Sequence, residues 1–183
     1  MKYSVLVLIF SIFFISCSNP EARKPIVRKT SSFMSESIER NKLLNKAENA
    51  LIMNKIQSDS LHDYKSSDFG FWYYHDVEMP SDSYEIKRGD VVFYSHEIKS
   101  LDDKILYDKE ELGTKSYLVD KEELITGLQD GFKLMKEGEV VTFLFPSHKA
   151  YGYTGNERIK PNQSLIYTVQ LLKINKLSEN ENN

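Results

Sequence analysis

The chain of 183 residues interleaves 24 basic and 27 acidic side chains for a formal net charge of -3, leaving no basic stripe to track a phosphate backbone. Nucleic-acid binding is therefore excluded from the expectations, and a single cysteine, Cys17, excludes an intrachain disulfide. Setting aside a signal-like start and a polar tether leaves about 150 residues, enough for one domain with an added arm.

Lys2 precedes an apolar run from Val5 to Ile15 that ends at Ser16-Cys17-Ser18. The run is too short to cross a bilayer comfortably and reads as a signal peptide core. A small residue followed by cysteine at its end resembles a bacterial lipobox, which implies that Cys17 becomes the lipidated first residue of the mature protein. Residues 17–33 then read as a tether, because the stretch from Ser18 to Thr30 is polar, holds Pro20 and Pro25, and lacks periodicity.

Ser35 to Leu61 lacks Gly and Pro and places Ile38, Leu44, Ala47, Leu51 and Ile56 at mixed spacings of three to six, which predicts an amphipathic helix over residues 34–62. It is open to two readings: a stalk or homodimer arm, or a helix packed on its own domain. The spacing is too irregular for a coiled-coil heptad. The aromatic run Phe69-Gly70-Phe71-Trp72-Tyr73-Tyr74-His75 predicts a strand. Arg88-Gly89-Asp90 marks a turn, and Val91 to Ile98 alternates as a strand does. Two short strands follow, Lys104 to Asp108 after the Asp102-Asp103 turn and Ser116 to Val119.

Between Lys121 and Met135 the period changes to helical, with Leu124, Leu128 and Phe132 four apart. Gly127 and Gly131 give this helix a thin face suited to close packing or to the floor of a ligand site. Val140 to Phe145 and Leu165 to Ile174 supply two longer strands, and residues 176–183 read as a disordered tail. Strands, one short helix and further strands describe an α+β domain with an antiparallel sheet.

Reactive constellations are missing from this pattern. His62, His75, His96 and His148 lack metal-ligand spacing, and the acidic doublets Asp102-Asp103, Glu110-Glu111 and Glu122-Glu123 suit solvated turns and helix starts. No phosphate loop or Ser-His-Asp order is present. No metal or cofactor is expected. The loop Ala150-Tyr151-Gly152-Tyr153-Thr154-Gly155, between the last two strands, instead points to chemistry performed by a shaped apolar pocket.

From Arg88 to Ile174 five ordered motifs resemble the FK506-binding (FKBP) class of peptidyl-prolyl isomerases: Arg-Gly opening a strand, Tyr-Asp after a turn, Leu-Ile-x-Gly-Leu, Lys-x-Gly-Glu, and Ala-Tyr-Gly-x-Thr-Gly. The resemblance implies a bent antiparallel sheet of five to six strands around one short helix, preceded by the N-terminal amphipathic helix, with the isomerase domain over residues 68–175. It implies a proline pocket built by Tyr107, Asp108, Leu124, Ile125, Leu128, Tyr151, Ile159 and Tyr167. In that reading the backbone at Leu124 and Ile125 contacts substrate, and the Tyr151 hydroxyl reaches a substrate carbonyl. Three positions depart from the family: Leu128 where a tryptophan is common, His96 where a tyrosine is common, and Lys115 where an aromatic is common.

The whole layout resembles the gliding-motility-associated lipoproteins of Bacteroidota. This implies a cell-envelope isomerase facing the periplasm, held to a membrane through lipidated Cys17, that acts on proline-containing segments of exported proteins of motility or secretion. Two alternatives stay open: a non-catalytic binding module, favoured by the three departures, and a chaperone acting through the N-terminal helix.

Overall fold

A computed structural model describes residues 30–80 and 82–177, with side chains from Met34 onward. The signal-like run, Cys17 and most of the tether lie outside the described residues, as do residues 178–183. Helix α1 spans Thr30–Ser58. It is followed by strands β1 (Lys65–Ser66), β2 (Trp72–Val77), β3 (Val91–Ser100) and β4 (Ile105–Tyr107), and by a single helical turn α2 (Lys109–Leu112). Strand β5 (Lys115–Leu118), helix α3 (Thr126–Phe132), strand β6 (Val140–Phe145), a 3-10 turn at Ser147–Lys149 and strand β7 (Leu165–Asn175) complete the order. Among the described residues no helix is long and apolar enough to cross a membrane.

All seven strands form one antiparallel sheet in the order β1-β2-β6-β7-β3-β4, with β5 also paired to β3. The count exceeds the expected five or six because the two-residue strand β1 pairs Lys65 with Tyr73 and Ser66 with Trp72, a pairing too short to leave a sequence signal. β3 is the axis. One edge pairs with β7 along its whole length, while the other meets β5 at Val91 to Tyr94 and β4 at Ile98 and Lys99.

Period-two alternation decides which side chains enter the core. Val92, Tyr94, His96, Ile98 and Ser100 of β3 are buried and point to one face, which also receives Val141, Phe143 and Phe145 from β6 and Leu165, Tyr167, Val169 and Leu171 from β7. A bulge in β7 interrupts the register between Phe93 and Tyr94, where Leu172 is the extra residue. Leu172 is thereby turned outward, while Leu171 and Ile174 on either side both stay in the core.

Helix α3 lies across that face through its thin side. A Cβ on Gly127 would fall 2.8 Å from the Phe145 ring, and one on Gly131 would fall 3.1 Å from the Phe143 ring. The glycines therefore serve close packing, with Leu128 and Phe132 buried on the same side. The helix is shorter than its apolar period predicts. Glu122 turns its carboxylate back to accept from Leu118 N at 2.9 Å, and Ile125 is still extended at ψ 136, so helical geometry begins only at Thr126.

The other face is covered at one end by the second half of α1. Ile52 is fully buried against Leu144 and Ile166, with Ile56, Trp72 and Leu101 around them. The expected apolar stripe is off by one position here, because Leu51 is 58% exposed and its neighbour Ile52 carries the contact. This half of α1 follows the reading in which the helix packs on its own domain. Lys176 and Leu177, assigned from sequence to the tail, are held: Leu177 N donates to Asp90 at 2.8 Å, and the Lys176 ammonium lies over the Tyr84 ring at 4.1 Å.

Candidate active site

The site begins with a row of side chains that sheet register brings together. Phe143 of β6 pairs with Tyr167 of β7, Tyr167 with Ile98 of β3, and Ile98 with Tyr107 of β4. Directly paired residues of antiparallel strands share a face, so these four side chains stand in line. Two positions back along β3, His96 stacks on Tyr167 with ring centroids 5.7 Å apart and planes 4° apart, and Tyr94 lies 5.3 Å from His96.

Above this row the start of α3 and the Tyr151 loop close a cavity of about 410 Å³. Tyr94, His96, Ile98, Tyr107, Leu112, Lys115, Leu124, Ile125, Leu128, Tyr151, Asn156, Glu157 and Tyr167 line it. Six of the residues expected from sequence are thus gathered around one space: Tyr107, Leu124, Ile125, Leu128, Tyr151 and Tyr167. Ile125 directly precedes the first helical residue, so its N–H is among those that no helical carbonyl can take. Leu128 forms the floor at 2% exposure.

Two of the expected residues do not line the cavity. Asp108 caps α2, its carboxylate accepting from Glu111 N at 2.7 Å, the work of a turn residue. Ile159 is buried in the core beneath the loop, where its backbone bridges Asn156. Tyr94, Ile98, Leu112, Asn156 and Glu157 line the cavity without having been singled out. For Tyr94 and Ile98 the signal was available, since both share the inward face of β3 with His96. Asn156 and Glu157 lie in an irregular loop, which has no period to read.

Loop geometry explains how Tyr151 is held. Ala150 N and Gly152 N, on either side of it, both donate to the Ser147 carbonyl, at 2.9 and 2.8 Å. Asn162 N returns to Gly152 O at 2.8 Å. Gly155 has φ +67, and a Cβ there would fall 2.4 Å from Ile159 O, so the tight return of the loop requires glycine. The far side is tied down by Arg158, whose guanidinium makes a bidentate contact with Glu111 at 2.7 and 2.8 Å, donates to Leu106 O at 3.0 Å and covers the Tyr107 ring at 4.7 Å. Arg158 was not singled out from sequence because its partner is 47 residues away.

Electrostatically the cavity is quiet. Burial, with the Lys115 cation second, holds the His96 imidazole down to about 4, so the ring is neutral near pH 7. Burial pushes the Tyr94 phenol up to about 12 and raises that of Tyr167 as well, with Tyr151 contributing second to the latter. The Tyr167 and Tyr151 hydroxyls stand 3.4 Å apart. Lys115 and Glu157 are the charged lining residues at neutral pH. Among the described residues no group of three or more His, Cys, Asp or Glu is placed to hold a metal ion. The arrangement can enclose an apolar ring and orient flanking carbonyls with hydroxyl and amide donors.

Comparison with known proteins agrees with this geometry. Residues 83–172 match the family model of FKBP-type peptidyl-prolyl cis-trans isomerase. The chain is 31% identical over 88 residues to the probable FKBP-type peptidyl-prolyl cis-trans isomerase FkpA of Neisseria meningitidis serogroup B, a match covering 48% of this chain and 32% of that protein. The chain thus spans about a third of the length of this curated relative.

Among solved structures, the peptidyl-prolyl cis-trans isomerase of Pseudomonas syringae pv. tomato superposes with a TM-score of 0.59 at 19% identity, covering 74% of this chain and 96% of that one. FkpA of Escherichia coli gives 0.59 at 21% identity, covering 96% of this chain and 82% of that one. The three FKBP domains of wheat FKBP73 give 0.53 at 22% identity, covering 61% of this chain and 48% of that one. These structures show the fold. The family model and the curated relative support the FKBP-type family for residues 83–172.

Proposed function

We propose that the chain is a peptidyl-prolyl cis-trans isomerase, anchored at Cys17 and acting on X-Pro bonds of exported proteins in the cell envelope. Rotation about a peptide bond faces a barrier of about 18 to 20 kcal/mol. For X-Pro bonds relaxation therefore takes roughly tens to hundreds of seconds. Twisting the bond breaks the resonance that places negative charge on the carbonyl oxygen, so transfer of the amide from water to an apolar enclosure favours the twisted state over either planar isomer. No proton moves and no covalent bond is exchanged. Lowering the barrier by about 4 to 7 kcal/mol accelerates the reaction roughly a thousand- to a hundred-thousand-fold. Selective binding of the twisted amide is sufficient for this.

In this reading Leu124, Ile125, Leu128 and Tyr167 desolvate the prolyl ring, and the Tyr151 hydroxyl with the Ile125 amide orients the flanking carbonyls. Asp108 acts on the rim by holding α2 in place, and Ile159 supports the loop from below. The observation that carries the proposal is the cavity of about 410 Å³, lined mainly by aromatic and aliphatic side chains, with Tyr151 in its wall. The full chain should accelerate isomerisation of a Leu-Pro peptide in a protease-coupled assay. A rate no faster than buffer removes the catalytic claim.

The finer assignment rests on resemblance to the GldI type of gliding-motility lipoprotein and on the lipobox-like Ser16-Cys17. It places the clients among proline-containing motility or secretion proteins and the anchor in a membrane, with the domain facing the periplasm. Labelled palmitate should enter the wild-type chain and be absent from Cys17→Ser. Equal labelling of both would remove the anchor. A second reading, a non-catalytic module that holds a proline-containing segment, is favoured by the presence of His96 and Lys115 in the cavity wall. Loss of partner binding in Tyr151 and Leu124 variants of a chain without measurable isomerisation would select it.

A further inference from the structure

Glu48 lies in the middle of α1, yet its side chain is buried, at 4% exposure, against a loop 99 residues further on. Its carboxylate accepts three hydrogen bonds: from Ser147 N at 2.6 Å, from Ser147 Oγ at 2.7 Å and from Ser164 Oγ at 3.1 Å. Desolvating a carboxylate is costly, and hydrogen bonds to the charged form are the means of offsetting it. The two serines are the stems of the segment that bears Tyr151. Ser147 opens the 3-10 turn after β6, and Ser164 directly precedes β7.

The contact reaches the cavity in one further step. While Ser147 N and Oγ are held by Glu48, the Ser147 carbonyl accepts from Ala150 N and Gly152 N, the two residues that flank Tyr151. On the other stem, Ser164 lies three residues before Tyr167, whose hydroxyl is 3.4 Å from that of Tyr151. One carboxylate on α1 therefore ties together both ends of the loop and, through them, the two tyrosines.

We infer that Glu48 is a positioning residue for the cavity: through Ser147 and Ser164 it holds Tyr151 in place in the cavity wall, coupling α1 to the isomerase site. The catalytic part of this inference rests on the isomerase reading above. Ile52, one turn further along the same face of α1, is the residue that docks the helix by apolar contact, so the carboxylate has a role separate from docking.

The test compares the full chain with Glu48→Ala and Glu48→Gln, each alone and combined with Tyr151→Phe. The measurements are amide hydrogen exchange along the chain and kcat and KM on a Leu-Pro peptide. Expected in Glu48→Ala is exchange at Ala150 and Gly152 at least tenfold faster with β3 and β7 unchanged, and kcat lower by about tenfold with KM moving less. Glu48→Gln keeps an acceptor and should fall between, and it carries the comparison if Glu48→Ala does not fold. On the Tyr151→Phe background the loss from Glu48→Ala should shrink to under threefold, because the group it positions is already gone. Unchanged loop exchange, exchange rising evenly through the sheet, or losses that multiply in full in the double variant would overturn the inference. Should the wild type fail to isomerise while the exchange effect stays confined to the loop, the isomerase reading falls and Glu48 stands as the holder of the loop.

Discussion

Tyr151 and His96 show two ways in which a single side chain shapes the cavity. The Tyr151 hydroxyl is held in the cavity wall by a loop that the hydroxyl itself does little to support, apart from its 3.4 Å contact with Tyr167. Tyr151→Phe should therefore lower kcat/KM by about tenfold, the effect of one well-placed hydrogen bond, and leave the thermal midpoint unchanged. Peptide kinetics alongside a melt check both halves. His96 acts through its protonation. In the folded chain the imidazole stays neutral down to about 4, whereas in the unfolded chain it binds a proton below about 6.5. Between these values the unfolded state holds more protons, so stability falls as pH drops through the window. At pH 5 the loss relative to pH 8 should be about 2 kcal/mol. Urea titrations of wild type and His96→Phe isolate it, since carboxylates titrate alike in both; parallel pH dependence would refute the assignment. The inward placement of His96 was legible in the alternation of Val91 to Ile98. Its lowered titration follows chiefly from that burial; the smaller contribution of Lys115 was not legible, because Lys115 comes near only through the pairing of β3 with β5.

At the scale of elements, helix α3 is held to the sheet by what its glycines lack. A methyl on Gly127 would meet the Phe145 ring at 2.8 Å and the Lys149 carbonyl at 2.9 Å, and a backbone oxygen does not yield as the end of a side chain does. Gly127→Ala should destabilise by about 1 to 3 kcal/mol despite the better helix propensity of alanine, and should also shift Leu128 at the floor of the cavity. At Gly131 the nearest atom is 3.1 Å away on the Phe143 ring alone, so the propensity gain of about 1 kcal/mol offsets the crowding and the change should be near neutral. Thermal melts of the two variants test the contrast, and equal losses would show that the helix can move to accept both. The spacing of Leu124, Leu128 and Phe132 made the presence of this helix readable from sequence. Its start was not readable, because it depends on where the Glu122 carboxylate goes and on the extended backbone at Ile125. For the same reason the clamp of Arg158 on Glu111, which fixes the far wall of the site, left no local trace.

Taken whole, the domain is a sheet with a core on one face and a helix on the other, and the second cover is the part the sequence left open. Alternation in β3, β6 and β7 made the inward face legible, and the order of motifs made the α+β architecture legible. Which side of α1 would dock was ambiguous, because Leu51 and Ile52 both fit an irregular apolar spacing and the choice between them belongs to the surface they meet. That surface is set by the outward members of two neighbouring strands: Leu144 and Ile166 pair directly across β6 and β7 and leave an apolar patch that Ile52 fills, at 0% exposure. Further along the same strands Thr142 and Thr168 take over, bonded to each other, with Thr142 also donating to Asp76, and the face becomes polar. The apolar patch therefore needs α1 in a way the rest of that face does not. Ile52→Ala should cost about 2 to 5 kcal/mol through the cavity it leaves, whereas Leu51→Ala, at an exposed position, should change stability by no more than about 0.5 kcal/mol. Denaturant titrations monitored at Trp72, which borders the patch, report both changes directly. Were the second half of α1 an arm projecting free of the domain, the two variants would be indistinguishable; a large loss at Ile52 alone identifies that half of the helix as a structural layer of the domain itself.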